Sequence, residues 1–378
     1  MTACLEGQGP LIESVEVAAY RVPTDDAEGD GTFHWSSTEL LVVQIRAGDH
    51  VGLGYSYTGG LAAAALVRDT LAPSVMGSRA VDLPSLWLHM NQSLRNIGRP
   101  GLGLMAASAM DIALWDLKGK LLNISLSTLW GNSRAGVPVY GSGGFTTYTD
   151  EQLRSQLADW MELGLTAVKI KLGLILEEDI RRVALAREVV GPDVELMVDA
   201  NGAYNPRTAL DLIERLHHWG ICWLEEPVSS DNLEGLSWLR DRTPSGIAIA
   251  AGEYGWGGIY FRRMLETHAV DILQADATRC GYSGFIQAAQ LCEAFQIPLS
   301  AHCAPAVHTA LCATLPNFKH IEYFHDHVRL EKLLFEHVPE LRNGKLWPNR
   351  ERAGHGLAFR SEHAAPFLLD ECGPKTQT

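Results

Sequence analysis

The chain has 378 residues, of which 46% are hydrophobic and 20% charged, the composition of an ordinary globular protein rather than a disordered one. Lysine and arginine number 31 against 45 aspartate and glutamate, so the formal net charge is −14. This sign of charge argues against nucleic acid and against an anionic membrane surface as partners, because both attract basic faces. A small anionic substrate stays open, provided that a local positive charge receives it.

The first third of the chain predicts an α+β unit. Its first strand, 12–22, alternates apolar and polar residues, and apolar runs at 39–46 and 51–57 are joined by the turn-like sequence AGDH as a hairpin. An acidic loop is expected over 24–35, between the first two strands. Helical spacing of apolar residues follows at 61–71, 83–96 and 103–122.

From Val137 onward, short apolar runs alternate with amphipathic stretches, the pattern of repeated βα units. Eight such runs with seven helical connections predict an α/β fold, a (β/α)-barrel whose last helix is missing or modified. The barrel pattern ends near Pro339. The runs are VPVYGSG, TAVKIKLG, VELMVDANG, ICWLEEP, IAIAAGE, VDILQADAT, IPLSAHC and KHIEYFH.

Each run from the second to the eighth ends in an ionisable residue. Barrel active sites lie at the C-terminal ends of the strands, so these side chains should meet at one end of the barrel. Charges beside a core are costly unless they are paired or bind a metal, and the set therefore predicts a chemical site. Its members are Lys169, Lys171, Asp199, Glu225, Glu253, Asp276, His302 and Glu322.

Three carboxylates on consecutive strands, Asp199, Glu225 and Glu253, predict a metal site. Like charges that converge need a cation between them, and ligands that are all oxygen favour Mg²⁺ over Zn²⁺. The neighbouring Glu226 leaves an ambiguity, because adjacent strand residues face opposite ways and only one of the doublet can point at the ion.

Two groups are candidate acids and bases. Lys169 and Lys171 project to the same face of one strand, and two ammonium groups near a divalent cation should lower each other's pKa toward useful base strength. Asp276 precedes His302 by one βα unit, and a carboxylate that accepts from one imidazole nitrogen raises the basicity of the other.

The chemistry that fits these groups is abstraction of a proton α to a carboxylate, with Mg²⁺ stabilising the enediolate. Lys171 and His302 could remove or return the proton on two faces of the α-carbon. Glu322, if protonated, could donate a hydrogen bond to an enediolate oxygen.

These motifs are K-I-K at 169–171, D-A-N at 199–201, E-E-P at 225–227, G-E at 252–253, Asp276, S-A-H at 300–302 and Glu322 after H-I. In order, spacing and residue type they resemble the mandelate racemase subgroup of the enolase superfamily, over nearly the whole chain. The resemblance implies an α+β capping domain at 1–132 and a (β/α)₇β barrel at 133–338. A tail at 339–378 is expected to return to the capping domain.

The resemblance also implies roles for the site residues. Glu225, rather than Glu226, would bind the metal with Asp199 and Glu253. Lys171 would be one base with Lys169 beside it, and the Asp276–His302 pair would be the second acid or base. Many relatives have Gly-Gly where this chain has Gly281 and Tyr282, so the local loop geometry here is not implied.

Members of the subgroup with both a lysine and a His–Asp pair are mostly acid-sugar dehydratases, which form 2-keto-3-deoxy acids. Racemases, epimerases and cycloisomerases are the alternative on the same site. Specificity comes from capping-domain loops, here 24–35 with His34 and 55–60, and Asn201 is a candidate substrate contact near the metal.

Two other classes of protein are weaker alternatives. His325 and His327 form an H-x-H that could bind zinc in a hydrolase, but they lie after the eighth strand and leave the lysines without a role. A non-catalytic sugar-acid-binding barrel would be expected to lack a base or a ligand, and this chain lacks none.

Localisation rests on composition. The chain has no apolar run long enough for a membrane span and no signal-peptide pattern. Its seven cysteines are scattered and form no C-x-x-C pair, as in a reduced cytoplasmic protein. A homo-oligomer is expected from the resemblance alone.

Overall fold

A computed structural model describes residues 9–369. The N-terminal part forms an antiparallel sheet of three strands in the order β1-β2-β3. The predicted hairpin is present between the second and third strands, where Gly48 turns the chain with φ of 57°. The strands are β1 Ser14–Gly29, β2 His34–Ala47 and β3 His50–Tyr57.

The acidic loop expected over 24–35 is wrong in extent. Strand β1 continues to Gly29 and pairs with the start of β2 at His34, after a register shift between Pro23 and Glu28. The turn itself spans only four residues, and Asp30 Oδ1 closes it by accepting from the backbone N–H of Phe33 at 2.8 Å. Pro23 still pairs with Ser37, so residues 24–27 take up the shift in register, and the acidic residues lie in this irregular part of the strand.

Helices cover one face of the sheet, and the longest, α4, packs between the sheet and the barrel. Asp111 on α4 accepts from the backbone N–H and the hydroxyl of Ser283 in the barrel, at 2.9 and 2.7 Å. The helices are α1 Gly60–Leu66, a π-helical turn Val67–Leu71, α2 Ala72–Val75, α3 Leu83–Ser93, α4 Leu102–Leu121 and α5 Leu126–Trp130.

The predicted barrel is confirmed: eight parallel strands close where the last pairs with the first. Its interior is filled by large side chains such as Tyr140, Met197 and Trp223, so it is a packed core and not a pore. The strands are β4 Val137–Gly143, β5 Ala167–Lys171, β6 Glu195–Asp199, β7 Ile221–Glu225, β8 Ala248–Ala251, β9 Ile272–Ala275, β10 Leu299–Ala301 and β11 Phe318–Phe324.

A helix follows each barrel strand, and the last of them, α13, is followed by the C-terminal segment. The helices are α6 Asp150–Glu162, α7 Leu176–Val190, α8 Pro206–Leu216 with a 3₁₀ turn His217–Trp219, α9 Leu233–Arg240, α10 Gly258–Glu266, α11 Ala277–Phe295, α12 Pro305–Cys312 and α13 His325–Leu334.

The C-terminal segment contacts both parts of the chain. Strand β14 pairs antiparallel with the start of β4, while His355 Nε2 lies 2.7 Å from the carbonyl oxygen of Leu53 in the three-stranded sheet. None of the helices between residues 9 and 369 has the length and apolar character needed to cross a membrane. The segment comprises β12 Phe335–Glu336, β13 Glu340–Arg342, β14 Lys345–Trp347, β15 Ala358–Phe359, α14 Ser361–Ala364 and a 3₁₀ turn Ala365–Phe367.

Candidate active site

The parallel register brings the predicted strand-end residues into one row. Lys171 is paired in register with Asp199, and Asp199 with Glu225, so the ends of β5, β6 and β7 are level. Glu253 lies two residues beyond the end of β8, after Gly252 with φ of 130°. A Cβ at Gly252 would lie 2.3 Å from the carbonyl oxygen of Gln274, so only glycine lets the chain turn there.

Asp199, Glu225 and Glu253 form a buried group of oxygen ligands. One ligand atom from each lies within 4.8 Å of the others. Glu225 Oε1 and Glu253 Oε2 are buried without a hydrogen-bond partner, which is costly for a carboxylate unless a cation binds there. The donor set and the two unpaired oxygens therefore fit a hard divalent cation.

The backbone places Glu225 and Glu226 in different surroundings, and the choice of Glu225 as the metal ligand stays a prediction. Glu226 follows β7 in the left-handed region, with φ of 37°, and its side chain lines a cavity of about 610 Å³ beside the three carboxylates. Burial, followed by the charges of Glu253 and Asp199, raises the pKa of Glu226 well above its ordinary value.

Both lysines are buried and paired with carboxylates. Lys169 Nζ lies 2.6 Å from Glu225 Oε2 and 2.8 Å from Glu322 Oε1, and Lys171 Nζ lies 2.6 Å from Asp199 Oδ2. The expectation of lowered lysine pKa values applies with a divalent cation beside the pair and stays a prediction. Burial is the largest single effect and lowers the pKa of each lysine. The surrounding charges, first Glu225 for Lys169 and first Asp199 for Lys171, together outweigh burial and raise both pKa values above the ordinary one.

His302 and Asp276 form the expected pair. His302 Nδ1 donates to Asp276 Oδ2 at 2.9 Å, which leaves Nε2 facing Glu253 Oε2 at 3.4 Å. Burial lowers the pKa of His302, but Glu253 and Asp276 outweigh it and raise the value to about 9. Thr278 fixes the other Asp276 oxygen through its backbone N–H and its hydroxyl, both at 2.7 Å.

Glu322 accepts hydrogen bonds from neighbouring groups, and its expected role as a protonated donor to the enediolate stays a prediction. Its Oε1 accepts from Ser142 Oγ at 2.6 Å, and its Oε2 accepts from the backbone N–H of Cys303 at 2.9 Å. Burial raises its pKa, but Lys169, His302 and Lys171 together hold the value well below the ordinary range. Both oxygens of Glu322 thus accept hydrogen bonds in this structure.

The two predicted substrate contacts, Asn201 and His34, differ in position: Asn201 lines the cavity, whereas His34 lies on the surface. The backbone N–H of Asn201 donates to Asp199 Oδ1 at 2.9 Å, and Asn201 Oδ1 is buried beside the cavity without a partner. His34 is exposed at the start of β2. Within residues 9–369, no hydrogen bond or ion pair joins His34 to the strand-end residues.

The family model described as "Enolase C-terminal domain-like" matches residues 152–364, and the one described as "Mandelate racemase / muconate lactonizing enzyme, N-terminal domain" matches residues 28–131. The chain belongs to the mandelate racemase subgroup of the enolase superfamily. A solved mandelate racemase/muconate lactonizing enzyme-like protein from Rubrobacter xylanophilus has a TM-score of 0.92 and 47% identity, over 95% of this chain and all of that one.

Relatives with named activities are also similar. L-talarate/galactarate dehydratase of Salmonella typhimurium is 31% identical over 88% of this chain and 83% of its own length. Its structure with Mg and L-lyxarohydroxamate has a TM-score of 0.88, 28% identity and coverage of 98% and 95%. The 3,6-anhydro-alpha-L-galactonate cycloisomerase of Streptomyces coelicolor is 33% identical over 84% of this chain and 88% of its own length.

Gly281 and Tyr282 stand where many relatives have Gly-Gly, and the structure shows how the chain accommodates the tyrosine. Gly281 adopts φ of 67° and kinks α11, and Asp111 packs against it. Tyr282 occupies the position of the second glycine as a buried side chain, and its hydroxyl donates to the carbonyl oxygen of Val307 at 2.8 Å. The tyrosine thus stays within the barrel wall and away from Asp276.

Three residues that the sequence did not single out also support the site: Cys303, Ala304 and Arg279. Cys303 and Ala304 adopt φ of 51° and 39° directly after His302, a strained turn that the backbone bond from Cys303 to Glu322 holds in place. Arg279 lines the cavity, with its Nε 3.8 Å from Asp276 Oδ2. Its position three residues after Asp276, in the first turn of a helix, is a signal that could have found it.

The H-x-H pair forms no zinc site of the hydrolase type. His325 and His327 begin helix α13, where residues two apart point in different directions. The ring of His327 stacks on Tyr57 with centroids 3.4 Å apart, and its Nδ1 accepts from the backbone N–H of Ala304 at 3.3 Å. Burial lowers the pKa of His327 to about 3, so it stays neutral.

Proposed function

We propose that this protein removes the proton α to the carboxylate of a sugar acid in a Mg²⁺-dependent reaction, and that the outcome is dehydration to a 2-keto-3-deoxy acid. One observation carries the proposal. A row of three buried carboxylates, two of them with unpaired oxygens, is flanked by Lys171 at one end and by His302 at the other.

Asp199, Glu225 and Glu253 would hold the metal. When bound, Mg²⁺ supplies positive charge to the substrate carboxylate as negative charge develops on it. The local balance of charge supports this assignment, since an anionic substrate would otherwise face three carboxylates in a chain of net charge −14. The small anion left open by the composition is thus compatible with an acidic protein.

Side chains of the protein would transfer protons at two atoms of the substrate, the α-carbon and the β-hydroxyl oxygen. Lys171 Nζ or His302 Nε2, in its neutral form, takes the proton from the α-carbon, and the C–H electron pair forms the enediolate. The β-hydroxyl then leaves as water after it receives a proton from the other group, and the enol product rearranges to the 2-keto acid. Lys169 lowers the pKa values of Glu225 and Glu322, which it contacts, and Asp276 orients His302.

The relatives support a sugar acid as the substrate class. Those named above include a dehydratase of talarate and galactarate and a cycloisomerase of an anhydrosugar acid. The cavity beside the carboxylates carries polar groups suited to hydroxyls, including Asn201, Ser229 and Arg279. Loops of the capping domain, with His34 at 24–35, are proposed to select the substrate.

A cycloisomerase or racemase is the second candidate, because the same site offers a base at each end of the carboxylate row. A non-catalytic barrel is disfavoured, since no metal ligand or base is missing. Small-molecule carboxylates are the proposed partners, and a homo-oligomer in the cytoplasm stays a prediction.

The test is a screen of mono- and diacid sugars with Mg²⁺, followed by NMR in D₂O. We expect either a 2-keto acid or deuterium at the α-carbon, and loss of both in Lys171→Ala and His302→Ala. The matched control is Lys319→Ala, at a half-buried lysine near the start of β11 that contacts none of the strand-end residues, and it should retain activity. Wild-type rates in both site variants would refute the two-base proposal.

A further inference from the structure

The hairpin at the end of β1 meets the start of α13 at a second group of ligand atoms. Asp25, Glu28 and His325 each offer one atom, and these atoms lie within 4.8 Å of one another. His325 Nε2 lies 2.9 Å from Asp25 Oδ2, although the two residues are separated by 300 positions in the sequence.

Glu28 gives this group a feature that a surface ion pair lacks. Its side chain is 0% exposed, and Oε1 has no hydrogen-bond partner, while Oε2 accepts from Trp35 Nε1 at 2.7 Å. An unpaired carboxylate oxygen in a buried position is costly, and burial with the nearby charges of Asp326 and Asp25 raises the pKa of Glu28 to about 9. A cation bound to Oε1 would remove that cost.

We propose that Asp25, Glu28 and His325 form a second metal site, which takes a divalent transition-metal ion of the Zn²⁺ type. One imidazole nitrogen and two carboxylate oxygens form a mixed set of ligands. Zinc prefers such a set to the all-oxygen set at the barrel mouth. The proposal is independent of the proposed function.

The geometry requires only small adjustments. Two ligand atoms on a tetrahedral ion, at bonds of about 2.1 Å, lie about 3.4 Å apart, so atoms that now lie within 4.8 Å of one another must close by at most about 1.4 Å. Asp25 and His325 are free to do so because their side chains are 44% and 28% exposed. A surface cavity of about 480 Å³ lined by both residues provides access for the ion.

The site would tie the capping hairpin to the barrel. Gly31, at the tip of the hairpin, packs against Leu172 and Ala203 at the strand ends. A metal shared between the hairpin and α13 would hold that tip in place, because its ligands come from both sides.

The test is calorimetric titration of the Mg²⁺-saturated protein with Zn²⁺, with metal content measured after dialysis. We expect one Zn²⁺ per chain, and a loss of affinity of about tenfold or more in Glu28→Gln and in His325→Gln. His363→Gln, an exposed histidine in α14, is the control and should bind like the wild type. Exchange of the backbone amide hydrogens over residues 24–35 should slow on addition of Zn²⁺ in the wild type and in His363→Gln, but not in variants that do not bind Zn²⁺.

Glu28→Gln keeps an oxygen for Trp35, so the variant should fold, and its melting temperature checks this. No Zn²⁺ binding by the wild type would overturn the proposal. Equal binding by wild type and both variants would also overturn it, because the ion would then lie elsewhere. Neither result would affect the Mg²⁺-dependent activity, which is assayed without Zn²⁺.

Discussion

The substitution Glu331→Gln should change how the stability of this protein depends on pH. Glu331 on α13 is 3% exposed and joins the barrel to the capping sheet. Its Oε1 accepts from the hydroxyl of Tyr55 at 2.5 Å, and its Oε2 accepts from the backbone N–H of Ala306 at 3.0 Å. Burial raises the pKa of Glu331 to about 8, from an ordinary value of 4.5.

The sign of the effect follows from proton linkage. The folded chain holds the Glu331 proton more tightly than the unfolded chain. The contribution of Glu331 to the free energy of unfolding is therefore highest below about pH 4.5 and falls until about pH 8. At about 1.4 kcal/mol per pKa unit, the loss is at most about 5 kcal/mol. For a chain of this size, at about 2 °C per kcal/mol, this corresponds to at most about 10 °C in melting temperature.

Glutamine removes the ionisation and keeps both contacts, because its carbonyl can accept from Ala306 while its amide donates to Tyr55. Melting temperatures of wild type and Glu331→Gln should therefore converge near about pH 5 and diverge toward about pH 8.5, with the variant more stable. Glu362→Gln, at an exposed position, should follow the wild type. Parallel curves for wild type and Glu331→Gln would refute the reasoning.

Three further outcomes are expected. Chelation should abolish activity and lower the melting temperature, since three converging carboxylates lose their cation, and Mg²⁺ should restore both; activity that survives EDTA would contradict this. Asp276→Asn should lower kcat about 10²-fold or more, because His302 loses the anion that raises its basicity, and an unchanged kcat would exclude that pairing. Gly281→Ala should lower the free energy of unfolding by about 1–3 kcal/mol, because φ is 67° and the new Cβ would lie 2.6 Å from Asp111 Oδ2. A melting curve that matches the wild type would disprove this last expectation.

The βα period predicted the barrel, because each parallel strand buried on both faces must read as a short apolar run. The same rule located the site. An apolar run that ends in charge, such as the one ending at Glu225, marks a strand end where a side chain leaves the core for the barrel mouth. Eight residues found in this way lie together in the structure.

Details that depend on pairing between strands were predicted less well. The extent of β1 was missed, because its acidic end after Pro23 pairs with β2 only through a shift in register. The lysine pKa values and the protonation of Glu322 could not be read from the sequence for a related reason: each depends on distances between side chains from different strands. Lys169, for example, contacts Glu225 and Glu322, which are 56 and 153 positions away.

The sequence by itself determined which residue types arrive at the barrel mouth and in what order, since strand length and side-chain alternation are local properties. Only the tertiary structure decided which carboxylates contact which lysines, which buried oxygens accept no hydrogen bond, and how close the ligand atoms of Asp199, Glu225 and Glu253 lie. Ionisation and ligand geometry depend on burial and on distances of a few ångströms, and these exist only once the strands have closed into a barrel. The acidic net charge, likewise, did not decide whether an anion can bind, because that depends on where the charges lie.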